Sequence, residues 1–195
     1  LDFICKGVNS PKVFKKYIKW LEDKYQSKAK KIKAKDKTTG WHKFGMRVDF
    51  ENGKSYFKDR YHDPFFVGYL QTSLFTMPAC FSCEFTGFPR KADITMADFW
   101  GIENIDVSMD QDLGTSLIMV NSEKGKRYFG SINENIISKQ FSIKDAVKGN
   151  SNMYLSTESG DEKLRKAFYE DLDREPFDVI INKYFPIPTL TSKVI

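Results

Sequence analysis

The sequence predicts an α+β protein, and three stretches carry that expectation. Val13, Phe14, Tyr17, Ile18, Leu21 and Tyr25 recur at spacings of three and four, the period of a helix with one apolar face. Asn52-Gly53 stands between two alternating segments, the dipeptide that a tight hairpin turn demands. Further on, Leu164, Ala167, Phe168 and Leu172 line one side of a second amphipathic segment.

The elements follow in order. "LDFIC" reads as the end of a buried strand, and with no initiator Met the chain is expected to be a fragment of a larger protein. "KGVN" is then a loop, Ser10 an N-cap and Pro11 the first helical residue, where its missing N–H costs nothing, so a helix is expected over roughly 11–26. "KAKKIKAKDK", residues 28–37, holds six Lys in ten positions. Read as a strand, it turns Ile32 and Ala34 inward and Lys31, Lys33, Lys35 and Lys37 outward, where lysines discourage edge-to-edge pairing. The other reading is an anion site for cofactor phosphates or nucleic acid, although no glycine-rich phosphate loop or zinc-finger spacing accompanies it.

The hairpin is expected over 44–59. Asp63 caps, and Pro64 opens, a helix in "DPFFVGYLQTSLF" that delivers the chain to Cys80. Strands are expected at 92–99 and in "TSLIMVN", with a helix in "SEKGKRYFGSINENI" behind the latter. A helix over 161–174 precedes a shorter one, "FDVIINKYF", restarted by Pro176 and ended by Pro186 and Pro188. No internal repeat or composition break forces a second domain, so a single domain is expected over 1–195.

Composition narrows the class. The 195 residues are 41% hydrophobic and 15% aromatic, with 29% charged residues of mixed sign, which is the make-up of a folded chain and not of a disordered tail. No apolar run approaches the roughly 20 residues of a membrane helix. No secretory leader pattern opens the chain, and three Cys is an odd count for an extracellular disulfide framework, so a reducing cytoplasm is expected.

Chemistry concentrates in "MPACFSCEFTGFPRKADITMADFWGI", residues 77–102, where Cys80 and Cys83 form a Cys-x-x-Cys pair. Cys5 is the third thiol. Two Cys at this spacing can turn both sulfurs toward one metal, so reduced cysteines without metal, a zinc knuckle and an iron–sulfur site all stand open. His42 and His62 have no zinc-finger spacing with the pair, and each adjoins an aromatic residue, Trp41 or Tyr61, which points to a surface or core role. No G-x-S-x-G, H-E-x-x-H or Walker motif is present. Asp93 and Asp98 lie an odd number of residues apart across a strand, hence on opposite faces and poorly placed as an acid pair. Asp98 is expected to cap or hydrogen-bond locally beside Phe99-Trp100-Gly101.

"ICKGVNSPKVFKKYIKWLE", "KDKTTGW", "PACFSCEF", "ADITMADFWGI" and "DLGTSLIMVNSEKGK" together resemble, in order, the C-terminal domain of the coenzyme F420 hydrogenase/dehydrogenase beta subunit family. The resemblance is strongest over 1–130, with 131–195 a helical C-terminal part. It implies an α+β domain whose mixed or antiparallel sheet carries the 44–59 hairpin, with helices 11–26 and 161–174 packed on it. It also implies an iron–sulfur flavoprotein oxidoreductase, in which electrons pass between a 4Fe-4S cluster, FAD and a deazaflavin or other acceptor. On this resemblance Cys5, Cys80 and Cys83 are cluster thiolates, and Lys6, Lys35, Lys37 and Asp98 stand at cofactor-binding positions. A redox partner protein or a small acceptor is implied as partner, with no nucleic acid.

Departures from the family pattern fall at Lys6, Lys35, Met77 and Ala97, where relatives carry His, Arg, Arg and Gly. Arg to Lys is not conservative at a bidentate contact, and a methyl at 97 obstructs close backbone approach. Many relatives of this shape accompany surface-polysaccharide biosynthesis, and the alternative is a non-catalytic binding or scaffold domain of that kind with a degenerate cofactor site. With three thiolates in hand and a fourth ligand expected upstream of Leu1, this fragment is expected to purify without its cluster or FAD.

Overall fold

A computed structural model describes residues 1–187, so Pro188 lies outside the described residues. The fold is α+β, with a mixed sheet, an antiparallel sheet and, among the described residues, six helices. The residues gather into two compact units that composition does not mark, because each is assembled from separated stretches. The first comprises Leu1–Lys6 and Ala79–Thr157; the second comprises Gly7–Pro78 and the chain from Glu158 onward.

In the second unit, helix α1 (Pro11–Tyr25) follows the predicted stripe: Val13, Tyr17 and Leu21 are fully buried. The helix stops at Gln26, which takes a left-handed φ of 50°. Strands β2 (Ala29–Asp36), β3 (Gly45–Phe50) and β4 (Ser55–Asp59) form an antiparallel sheet in that order. The hairpin falls where Asn52-Gly53 places it: Gly53 has φ 80°, and Asn52 Oδ1 accepts from the Lys54 N–H at 3.1 Å. Helices α2 (Pro64–Gln71), α5 (Glu162–Arg174) and α6 (Phe177–Tyr184) complete the unit. Phe75 lies at its centre, stacked on Phe168 at 5.7 Å and edge-on to Phe185 at 5.1 Å.

The same unit contains a buried polar knot. Asp63 caps α2 through the Phe66 N–H at 2.9 Å, and its other oxygen accepts from Tyr17 Oη at 2.7 Å and Tyr56 Oη at 2.8 Å. Burial pushes the Asp63 carboxyl up to about 6 despite the tyrosine and backbone donors that favour its anion. Burial, with Asp63 beside them, also pushes both phenols far above their ordinary range.

In the first unit, β1 (Asp2–Phe3) pairs parallel with β5 (Ile94–Asp98), which pairs antiparallel with β6 (Ser116–Val120). Helix α3 (Glu123–Ile132) follows β6 and comes so close that a Cβ at Gly125 would strike the Asp93 carbonyl. A short helix α4 (Ile143–Lys148) supplies Ala146 to a core formed with Phe99, Ile102 and Met153, against which Ile4, Leu117 and Met119 pack.

Several expectations need correction. Of the two arrangements expected for the sheet that carries the hairpin, the antiparallel one is found, and the mixed sheet is a separate one. Ile32 and Ala34 are exposed, because β2 is an edge strand whose two register shifts, between Ala29 and Lys31 and between Lys33 and Asp36, break its alternation and leave Asp36 as the buried residue. "LDFIC" contributes only a two-residue edge strand, and Phe3 remains 70% exposed. Leu164 is exposed, one turn short of the buried Phe168 and Leu172. The helix after β6 ends at Ile132, giving way to a 3-10 turn at Asn133–Asn135.

Candidate cofactor site

Strand β1 delivers Cys5. Ile4 donates its N–H to the Met96 carbonyl at 2.9 Å, and the exposed Cys5 follows as pairing ends. Further along, two segments of the second unit are stitched together: Val8 accepts from the Met77 N–H at 2.8 Å, Asn9 bridges Thr76, and Ser10 donates to Phe75 at 2.7 Å. Cys5 lies three residues before Val8, and Cys80 three residues after Met77. The stitch thus brings together the two stretches of chain from which the cysteine segments depart, although 75 positions separate Cys5 from Cys80 (80 − 5).

Pro78–Cys80 is a 3-10 turn; Cys80 and Cys83 are half-buried and Cys5 exposed, and none of the three is in a disulfide. The loop after Cys83 is tied down at several points. Thr86 donates to the Cys83 carbonyl at 3.3 Å, and Gly87 donates to Met153 at 3.2 Å. Arg90, its side chain only 2% exposed, donates to the Phe85 carbonyl at 2.5 Å, to Thr95 Oγ1 at 3.4 Å and to Asp2 Oδ2 at 2.7 Å. Sequence reading missed Arg90; a basic residue between two short apolar segments was the available signal.

Among the described residues, no three His, Cys, Asp or Glu side chains gather as ligands of one metal ion. Neither the ligand set of a zinc knuckle nor a cluster of cysteines is assembled among the described residues. A multi-iron cluster asks for soft thiolates converging on one body. Cys5, Cys80 and Cys83 belong to one unit and none is in a disulfide, so the donor type suits such a cluster, but among the described residues the three are not gathered as its ligands.

The other predicted positions divide between the units. Lys6 and Asp98 belong to the first, with the cysteines. The Lys6 carbonyl accepts from Thr157 Oγ1, and Asp98 pairs with Ser116 at the end of β5. Asp93 precedes that strand, accepts from Ser122 Oγ at 2.6 Å and pairs with Lys124 at 3.5 Å, so it anchors the approach to α3. Lys35 and Lys37 lie in the second unit, with their ammonium groups 5.3 and 4.9 Å from the Trp41 ring centre. Between them Asp36 accepts from Arg47 Nε at 3.0 Å and the Thr38 N–H at 2.9 Å. Burial pushes its carboxyl up, but bonds from Thr38, Arg47 and Lys33 outweigh burial and hold it well below the usual carboxylate range. The lysine strand thus has a fixed anion inside it. His62 Nδ1 lies 2.8 Å from Asp59 Oδ1, a local pairing at the end of β4.

No helix among the described residues is long and apolar enough to cross a membrane. Comparisons with curated proteins and with solved structures found no match. A family profile for the C terminus of the coenzyme F420 hydrogenase/dehydrogenase beta subunit matches residues 1–146, which include all three cysteines and both β1 and β5. With three quarters of its length matched (146 of 195 residues), the chain belongs to the C-terminal domain family of the coenzyme F420 hydrogenase/dehydrogenase beta subunit.

Proposed function

We propose that this chain is the cofactor-bearing part of a cytoplasmic iron–sulfur flavoprotein oxidoreductase, which moves electrons between a 4Fe-4S cluster, FAD and a deazaflavin (coenzyme F420) or another acceptor. The observation that carries the reading is that Cys5, Cys80 and Cys83, none of them in a disulfide, belong to one unit in a member of this family. A four-iron cluster supplies single-electron transfer, and a flavin takes electrons singly or in pairs.

The chain's own residues have positioning tasks. Cys5, Cys80 and Cys83 are assigned as thiolates, each held by a defined backbone: the end of β1, a 3-10 turn and the loop that Arg90 secures. Lys6 and Asp98 are assigned to cofactor contacts in the same unit, and Lys35 and Lys37 supply positive charge suited to a flavin's phosphates. Aromatic rings beneath Lys35 and Lys37 restrict where their ammonium groups point. A redox protein or a small diffusible acceptor takes the electrons onward.

Colour tests the reading. The full-length protein, purified without oxygen, is expected to be brown-yellow with stoichiometric iron, labile sulfide and flavin. Colourless protein that resists reconstitution would instead support the alternative, a non-catalytic domain linked to surface-polysaccharide assembly. The departures at Lys6, Lys35, Met77 and Ala97 are what favour that alternative.

A further inference from the structure

We propose that Arg90 is the positioning residue of the cysteine site, a clamp that fixes the Cys80–Cys83 loop to the strand leading to Cys5. The proposal rests on the iron–sulfur reading above only for what the cysteines hold. Its geometry stands independently. One guanidinium reaches Phe85 O, two residues past Cys83, and Asp2 Oδ2, three residues before Cys5. A longer approach of 3.5 Å to Gly87 O and the contact with the fully buried Thr95 Oγ1 complete its surroundings.

Arginine suits this task because its planar fork offers five donors in fixed directions, so one side chain can serve carbonyls and a carboxylate at once. With the side chain 2% exposed, water does not substitute readily for a lost partner. The charge is answered by Asp2, so the two arms of the clamp can be separated: the carboxylate arm holds β1, and the carbonyl arm holds the loop. The β1–β5 ladder has only two paired positions, Asp2 with Thr95 and Phe3 with Met96. So short a ladder leaves much of the alignment of Cys5 to the clamp.

The test uses the full-length protein and three variants, Arg90→Gln, Arg90→Lys and Asp2→Asn, each read by hydrogen exchange and by iron–sulfur reconstitution followed in the visible spectrum. In Arg90→Gln the Thr86, Gly87 and Ile4 amides are expected to exchange about tenfold faster or more, while the β6 amides facing β5 stay unchanged. Arg90→Lys is expected to keep Ile4 protected, since its charge still meets Asp2, but to release Thr86 and Gly87. Asp2→Asn should do the opposite. Reconstituted cluster is expected to be lost to chelator fastest in Arg90→Gln, with Arg90→Lys partly rescued.

Unchanged loop exchange in Arg90→Gln overturns the clamp, whatever the cluster does, and so does full rescue of the loop by Lys. If wild-type protein reconstitutes no cluster while the exchange pattern holds, the iron–sulfur reading falls and the clamp stands. Should Arg90→Gln fail to fold, the opposed patterns of Arg90→Lys and Asp2→Asn decide the question by the same amides.

Discussion

Replacing Asp63 by Ala removes the acceptor shared by Tyr17, Tyr56 and the Phe66 N–H. Three buried donors then lack partners, at about 1–3 kcal/mol each, or roughly 6 kcal/mol together at mid-range. The loss is partly offset at neutral pH, because wild type must hold an ion in a fully buried site. With the carboxyl raised from 3.8 to about 6, that penalty is about 3 kcal/mol, leaving a net cost near 3 kcal/mol. The sign of the pH dependence follows. A raised carboxyl binds its proton more tightly in the folded state, so its stabilising contribution is fully present below 3.8 and lost as pH rises through 6. The alanine variant lacks this titration, so the gap between the two proteins should be about 2 kcal/mol wider at pH 4.5 than at pH 7. Urea titrations at both values measure it by tryptophan fluorescence, to which Trp20 and Trp41 of the second unit and Trp100 of the first contribute, with circular dichroism checking that the transitions coincide. A gap that is equal at both pH values, or narrower at 4.5, would refute the argument.

Asp36→Asn should show the reverse trend, costing more at pH 7 than at pH 3. A carboxyl held below its ordinary value gives stability that is present above its unfolded pKa and lost on acidification, and the same titrations read it. Gly149→Ala should lower the melting temperature, by about 1–3 kcal/mol of stability, because the new methyl would strike the Trp100 carbonyl; an unchanged thermal scan would show that this backbone yields freely. In the full-length protein, Cys83→Ser should leave far-ultraviolet dichroism intact while iron retained after anaerobic purification falls severalfold. Iron equal to wild type would remove Cys83 from the ligand set.

Much of the second unit was legible because its signals are local. The Tyr17 stripe, the Asn52-Gly53 turn and the Asp63-Pro64 helix start each need only a few neighbouring residues to take effect. What went unread depends on partners remote in sequence. Ile32 alternates correctly with its neighbours, yet burial of either face is decided by the edge position of β2 and by register shifts that no pattern of Lys and Ala encodes. Tyr17 was legible as a core residue and Asp63 as a cap, but their hydrogen bond spans 46 positions. A hydroxyl on a buried stripe is itself a demand for an acceptor, and that was the overlooked clue. Helix α4, six residues long, offers less than two turns of period to detect. At the candidate site Cys80 and Cys83 announced themselves by spacing and Cys5 only through the family resemblance, whereas Arg90 could be recognised only from the backbone carbonyls and carboxylate that surround it.

The stitch between Val8–Ser10 and Phe75–Met77 also bears on the order in which the chain folds. Pairing Asp2 with Thr95 closes a loop of about 90 residues, an expensive early step for so short a strand. Once the intervening second-unit segment has folded and pinned its own ends, the free chain left to close shrinks to about 25 residues, which lowers the entropic cost by about 1 kcal/mol. The second unit is then expected to fold first, and the parallel ladder that precedes Cys5 to form late. Pulse-labelled exchange should find the Met77 amide protected before the Ile4 amide, and the reverse order would contradict this sequence of events. On the iron–sulfur reading proposed above, Cys5 would thereby be presented only after the backbone of the second unit is already fixed.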